Sequence, residues 1–421
     1  MKAEPGHYDA IIIGGGPAGS TAAMYLSRAG KRALVLERET FPRFHIGESL
    51  LPYNVPIFEE LGLMPALREA GFMEKYGAQF VLPDGSLRTE IEFGRGRFTD
   101  QPMSYQVERS KFDDLLLRHA ARGGATVREG MEVKDFTVDP AGGVVVTAQN
   151  GGAPERFTAE FLIDASGTAN FTGNREGLKE IYEEHRKFAI YGHYTGIPLP
   201  DEARKCGDIL IYRLKDAWFW FIPLSREKVS LGLVVDRAAL RESALTPEER
   251  FDAAVQRCPE LRERLAVAQR VGPVRTIADF SYRNRRFVSP RLVRVGDAAG
   301  FLDPIFSSGV YLAMLTAREA AQAVSEAIDT GRTLTPAMRR YERRTRSHLG
   351  AYFEMIRHFY TQPFIELLMQ PQAKWHLPDA VVAILAGQME GGWAVRWRLR
   401  VFFWLVRLQA CFPVVKRLRI E

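Results

Sequence analysis

A chain of 421 residues, 46% hydrophobic and 26% charged, is long enough to bury a large core and to divide into two or three domains. Its formal charge of +6 is mild for that size, so a nucleic-acid role would need a local basic cluster, and no stretch reaches the roughly eighteen apolar residues of a membrane span. Three widely separated cysteines, Cys206, Cys258 and Cys411, suggest neither a disulfide framework nor a metal centre, and they favour a reducing, cytoplasmic compartment. Met1 to His7 is short and charged, and the first apolar run carries a glycine turn rather than a cleavage site, so no secretory signal is expected.

The first forty residues organise the rest. Asp9 to Ile13 predicts a buried parallel strand, and Gly14-Gly15-Gly16-Pro17-Ala18-Gly19 a tight turn. Ser20 to Ala29 predicts a helix, and Arg32 to Leu36 a second buried strand ending in Glu37. Strand, glycine turn, helix, strand and acid in this order form a dinucleotide site. Gly14 permits the turn, Gly16 lets backbone approach a pyrophosphate, and Gly19 lets helix and strand pack closely. The phosphates sit at the positive end of the helix, and Glu37 accepts from a ribose.

Phe41 to Pro52 then predicts a loop just beyond a strand end, where ligands bind in such sheets. Tyr53 to Leu61 predicts a short helix, Gln79 to Leu82 a strand, and Pro83-Asp84-Gly85 its hairpin turn. Lys75 stands alone between them and by itself reads as a solvated lysine. Ser110 to Ala121 predicts a helix capped by Ser110 with Asp113 at its third position. Thr126 to Thr137, Val144 to Thr147 and Phe157 to Ile163 predict strands, the last closed by Asp164, an acid placed to edge a bound cofactor. Phe188 to Tyr194, Ile209 to Arg213, Ala217 to Ile222 and Val229 to Val235 predict an antiparallel sheet able to floor a substrate pocket. Ala244 to Arg270 predicts two short helices broken at Cys258-Pro259. Arg291 to Val295 predicts a strand returning to the first sheet, followed by the loop Gly296 to Gly309 and helices over Val310 to Ile328 and Thr335 to Phe359.

Four pieces together resemble the flavin-dependent halogenases of the FAD-dependent monooxygenase superfamily. They are the glycine motif, the loop Phe41 to Pro52, Trp218-Phe219-Trp220-Phe221-Ile222-Pro223, and Gly296-Asp297 with Asp303 to Gly309. The likeness is strongest to the branch acting on phenols, pyrroles and carrier-bound aromatic acids, and it covers roughly residues 7 to 360. It implies an α/β, glutathione-reductase-type FAD-binding fold with an inserted, mainly antiparallel substrate domain and a helical C-terminal segment. The expected division is 1–70, 106–180 and 285–335 for FAD binding, 71–105 and 181–284 for substrate, and 336–421 for the helical region.

The resemblance also implies a chemistry, one typical of natural-product and antibiotic biosynthesis. FAD arrives as FADH2 and reacts with O2 to give a C4a-hydroperoxide, and a chloride or bromide ion attacks it to give hypohalous acid. That acid passes to Lys75, which either polarises it as an ammonium or carries the halogen as a chloramine. Gly14, Gly16, Ala18, Gly19, Glu37, Arg43, Ser49, Arg109 and Asp297 match cofactor-side positions. Ser308 and Gly309 match the halide site at a helix start, and Trp218 and Trp220 the wall between flavin and substrate. Phe306 stands in the substrate pocket where tryptophan halogenases carry a glutamate, which argues against free tryptophan. No second, nicotinamide-type glycine motif is present, so a separate flavin reductase is expected as partner. The alternatives are an FAD-dependent aromatic hydroxylase, another FAD oxidoreductase, or a lipid-associated redox protein.

The last alternative comes from the tail. Trp393 to Glu421 holds Arg396, Arg398, Arg400, Arg407, Lys416, Arg417 and Arg419 against one acid, interleaved with Trp393, Trp397, Phe402, Phe403, Trp404 and Phe412. Packing on the body, contact with a carrier protein or lid, and peripheral contact with an anionic membrane all suit this pattern. Nucleic acid does not, since no recognised binding module accompanies it.

Overall fold

The computed structural model describes residues 7–240, 245–278, 281–371, 374–389 and 391–420; Met1 to Gly6, Ala244 and Glu421, which the sequence reading touched, lie outside them. The chain opens as anticipated, with β1 (His7–Ile13), α1 (Pro17–Arg28) and β2 (Ala33–Leu36). β1 and β2 pair in parallel, with Ala10 opposite Ala33. Helix α1 starts at Pro17 rather than Ser20, because proline in the first turn forfeits no intrahelical bond. Gly19 lets the helix lie against the turn: a Cβ there would stand 1.9 Å from the Gly14 carbonyl oxygen.

Two short helices follow, α2 (Val55–Glu60) and α3 (Met64–Glu69), then β3 (Met73–Lys75), β4 (Gly77–Val81), β5 (Arg88–Glu92) and β6 (Ser104–Gln106). Helix α4 (Arg109–Arg122) begins one residue before the expected cap. Ser110 does not cap it, because Glu108 occupies the cap position without a side-chain bond, and Asp113 is committed to two arginines instead. The single strand expected from Thr126 to Thr137 is two, β7 (Thr126–Arg128) and β8 (Glu132–Asp139). Gly130, at φ +70°, turns the chain between them. β9 (Gly143–Gln149) and β10 (Glu155–Asp164) complete this region.

The second unit starts with α5 (Phe171–Arg175), β11 (Lys179–Ile181), β12 (Lys187–Thr195) and α6 (Ala203–Cys206). It continues through β13 (Ile209–Arg213), β14 (Ala217–Pro223) and β15 (Lys228–Asp236) to α7 (Pro247–Gln256), α8 (Pro259–Leu265) and β16 (Gln269–Ala278). Strands β12 to β16 and two earlier ones, β4 and β5, form a seven-stranded sheet, β16-β12-β15-β14-β13-β4-β5. Its pairs are antiparallel except β13 with β4. The period-two alternation of β14 divides its side chains between two cores. Phe219 and Phe221 pack with Phe251 and Leu261 under α7 and α8, while Trp218 and Trp220 enter the main core.

The chain then returns through β17 (Tyr282–Asn284), β18 (Val288–Ser289), β19 (Leu292–Arg294) and β20 (Gly300–Phe301). The first sheet runs β18-β19-β10-β1-β2-β7, with β9 on β10 and β8 on β9. β19 lies parallel to β10, so the turn after it, Gly296-Asp297, meets the turn after β1. Five helices end the chain: α9 (Gly309–Asp329), α10 (Pro336–Phe359), α11 (Gln362–Met369), α12 (Leu377–Ala386) and α13 (Gly392–Cys411). Among the described residues no helix is long and apolar enough to cross a membrane.

Candidate functional site

The glycine turn is surrounded by charge. Glu37 is buried, and one carboxylate oxygen accepts from Gly15 N–H at 2.6 Å while the other accepts from Glu39 N–H at 2.8 Å. Asp113, fully buried, gathers two arginines: Arg109 donates to it at 2.7 and 2.9 Å and Arg43 at 3.0 Å. Arg43 stands over Gly16, whose missing Cβ would lie 3.5 Å from its guanidinium and near nothing else. Arg109 also donates to the Ile46 and Gly47 carbonyls, at 2.8 and 3.3 Å, and so fixes the 41–52 loop. Ala18 is buried, and a Cβ on Gly296 would approach its methyl to 3.3 Å.

Beside that contact lies Asp297. No described side chain bonds its carboxylate, and burial pushes it up to about 7 against the pull of Arg109. An open backbone at a helix N-terminus, paired arginines and an acid lacking a protein partner fit an FAD. Asp164 does not belong with them. Its carboxylate accepts from Ser166 N–H, Thr172 N–H and the Thr172 hydroxyl at 3.0, 2.8 and 2.5 Å, so it holds the turn after β10 rather than edging a cofactor.

Lys75 is not a surface lysine. At the end of β3, opposite Ser104 of β6, it is 1% exposed. Its ammonium donates to Ser49 Oγ at 2.9 Å and to the Leu50 carbonyl at 3.0 Å, and lies 5.4 Å from the centre of the Phe93 ring. Neither acceptor is a carboxylate. Burial drives it down to about 7, opposed by Asp208. Asp208, itself raised by burial to about 6, accepts from Gln79 Nε2 at 3.2 Å and keeps one buried oxygen without a partner. Ser49, expected on the cofactor, thus holds Lys75. The 41–52 loop reaches from the glycine turn through Arg43 to the lysine through Ser49 and Leu50.

From the same loop a row of rings leads to the start of α9. Phe44 of the loop lies 6.5 Å from Tyr191, Tyr191 5.8 Å from Trp220, and Trp220 6.0 Å from Trp218, centre to centre. Trp218 lies 6.4 Å from Phe359, and Phe359 5.7 Å from Phe306. The row ends in the loop that carries Ser307, Ser308 and Gly309 to the start of α9. Ser308 is buried at the cap position of α9, and the first backbone N–H groups of that helix have no intrahelical acceptor. Both tryptophans are pinned: Trp220 N–H donates to Ser230 at 3.2 Å, and Trp218 N–H donates to Tyr360 at 2.9 Å. Tyr360 in turn donates to buried Asp303 at 2.6 Å. Gly232, opposite Trp220, leaves room for its indole, since a Cβ would come within 2.2 Å of that ring.

Sequence reasoning missed Asp113, Asp208, Gly232 and Tyr360 as parts of this arrangement. Only Asp113 carries a local signal, its i,i+4 spacing from Arg109, whereas the capping expectation uses its position three residues after Ser110.

The FAD binding domain family model matches residues 7–352. The 1H-pyrrole-2-carbonyl-[peptidyl-carrier protein] chlorinase of Pseudomonas fluorescens is 32% identical over 406 residues, covering 91% of this chain and 90% of that protein. The chain belongs to the flavin-dependent halogenases. The corresponding brominase of Pseudoalteromonas luteoviolacea is 33% identical to this halogenase over 386 residues, 90% of the chain and 92% of the relative. The solved structure of the flavin-dependent brominase Bmp2 superposes with a TM-score of 0.85 at 30% identity, over 96% of the halogenase and all of that chain. A flavoprotein/dehydrogenase from Cytophaga hutchinsonii superposes with a TM-score of 0.86 at 25% identity, over 96% of the halogenase. The halogenase is an FAD-dependent oxidoreductase, with the α/β FAD-binding architecture anticipated from its sequence.

Proposed function

We propose that this enzyme chlorinates or brominates an electron-rich ring of the phenol or pyrrole class, presented as a thioester on a carrier protein, and that Lys75 delivers the halogen. The observation that carries this reading is the buried Lys75 ammonium, which spends two N–H groups on Ser49 and Leu50 and has a third left for a reacting molecule. Bound FAD, reduced and met by O2, supplies the oxidation that turns halide into hypohalous acid. Ser308-Gly309 at the start of α9 hold the halide, and the Trp218–Trp220 section of the aromatic row keeps the ring away from the oxidant's source. Lys75 holds hypohalous acid by its oxygen. The ring carbon attacks the halogen, the halogen–oxygen bond breaks, and the ring proton leaves with the oxygen as water. Phe306, buried against Phe359, offers no carboxylate to take that proton, which favours a ring activated by its own hydroxyl or ring nitrogen. Two curated relatives named for pyrrole-2-carbonyl carrier-protein substrates support the tethered form. Reduced flavin comes from a separate reductase.

The test is product mass and isotope pattern with supplied FADH2, O2 and either chloride or bromide, for wild type and Lys75→Ala. Lys75→Ala retains FAD binding and loses halogen transfer by roughly a hundredfold or more, the scale of a positioned proton-handling group. Halide-independent addition of one oxygen would make the enzyme a hydroxylase. Equal halogenation by both proteins would discard Lys75.

A further inference from the structure

The last helix has one face that the fold uses and one that it leaves to solvent. Val395, Phe402, Phe403, Val406 and Gln409 of α13 are buried. On the opposite side Trp393, Trp397, Arg400, Trp404 and Arg407 follow one another at spacings of three and four, which places them in one stripe. Trp393 is 78% exposed and Trp404 57%. Residues 391–420 contain seven lysines and arginines and no acid. Arg400 and Arg407 are exposed, and no described carboxylate pairs with either. Arg357 of α10, also exposed, adds to the same field, since it and Arg407 both act on His358.

The helix is linked to the surroundings of Lys75 through the segment 93–98. On its flank the Arg398 guanidinium lies 4.8 Å from the centre of the Phe98 ring. Phe98 belongs to the segment that begins with Phe93, the ring over Lys75. Arg97 N–H of that segment donates to Asp379 of α12 at 3.3 Å, and Gly96 packs against Val382.

We propose that the Trp393–Arg407 face of α13 is the docking surface for an acidic carrier protein that brings the acyl substrate to Lys75, a proposal resting on the carrier-thioester reading above. The arrangement suits a protein better than a lipid surface. A helix lying on a membrane keeps its apolar face free to enter the lipid, whereas here Phe402, Phe403 and Val406 are already spent on the protein body. What remains is tryptophan and arginine, the side chains that dominate protein–protein interface energetics. Their unpaired positive charge complements acidic residues on a partner and speeds encounter.

The experiment uses the full-length FAD-loaded enzyme, the double variant Arg400→Glu/Arg407→Glu, and Trp404→Ala. Each is assayed with pyrrole-2-carbonyl attached to an intact peptidyl carrier protein and to pantetheine alone. The variants raise KM for the carrier form by about tenfold or more, with kcat, melting temperature and the pantetheine reaction unchanged. Raised salt moves the wild-type KM for the carrier form the same way. Unchanged carrier KM in the charge-reversal variant overturns the docking face, and so does an equal loss with both substrates. Wild type that prefers pantetheine to carrier sinks the carrier reading itself. Co-sedimentation with phosphatidylglycerol–phosphatidylcholine vesicles, lost in the double variant while carrier KM stays put, reassigns the face to a membrane.

Discussion

Lys75 lacks the water that keeps an ordinary lysine charged, and burial brings it down to about 7. Ammonium and amine are therefore both populated near neutral pH, and the pH profile of halogen transfer under saturating FADH2 bends near that value. If the ammonium is the active form, the rate falls as pH rises through the bend; if the amine carries the halogen, it rises. The Asp208 carboxylate favours the charged lysine, so Asp208→Asn moves the bend to lower pH in either case. A bend that stays in place removes Asp208 from the account and leaves desolvation alone. None of this was legible in the sequence. The lysine's pattern resembled a family position, but its burial depends on Ser49, Leu50 and Phe93 arriving from elsewhere in the chain.

At the level of the first turn and helix, two glycines do different work, and the difference is measurable. Gly16 faces only the Arg43 guanidinium, at ordinary contact distance from a Cβ, so Gly16→Asp leaves the apoprotein melting temperature near wild type. It abolishes FAD binding in a fluorescence titration, because charge then meets the pyrophosphate. Gly19 faces the Gly14 carbonyl at contact distance, so Gly19→Ala forces α1 off β1 and destabilises even the apoprotein, by about 2 kcal/mol or more. Equal effects of the two substitutions on apoprotein stability would contradict this division. These elements were readable in advance because strand, turn and helix are local in sequence. The errors lie where tertiary contact overrides local preference. Ser110 has the chemistry of a cap, yet Arg109 begins the helix because Asp113 holds its guanidinium. Apolar residues recurring on both sides of Gly130, Val127 before it and Met131, Val133 and Phe136 after it, made two strands look like one.

Across the whole molecule, the C-terminal helices are part of the core. Buried Glu366 of α11 accepts from Gln409 Nε2 at 2.6 Å, from Leu418 N–H at 3.0 Å and from Gln362 at 2.9 Å. Truncation before Gly392 removes two of those three donors and uncovers Phe364, which packs 5.6 Å from Phe402. Leaving a buried carboxylate underbonded, with the packing loss added, costs about 3 kcal/mol or more. The truncated enzyme therefore melts well below wild type in a thermal scan, and an unchanged melting temperature would show the tail to be dispensable for folding. Of the readings the tail's sequence left open, packing describes its buried face.

The division of β14 between two cores has a consequence for how such an enzyme changes over time. Trp218 and Trp220 enter the main core, where the proposed mechanism sets them as a wall, while Phe219 and Phe221 pack the sheet against α7 and α8. Alternate positions of one strand thus answer to separate selective pressures. On the proposed mechanism, the odd-numbered residues answer to folding alone, and the even-numbered ones to folding and reaction together. A lineage can rework the wall for a new ring without loosening the sheet's attachment, so divergence in substrate and persistence of fold are written into the same seven residues.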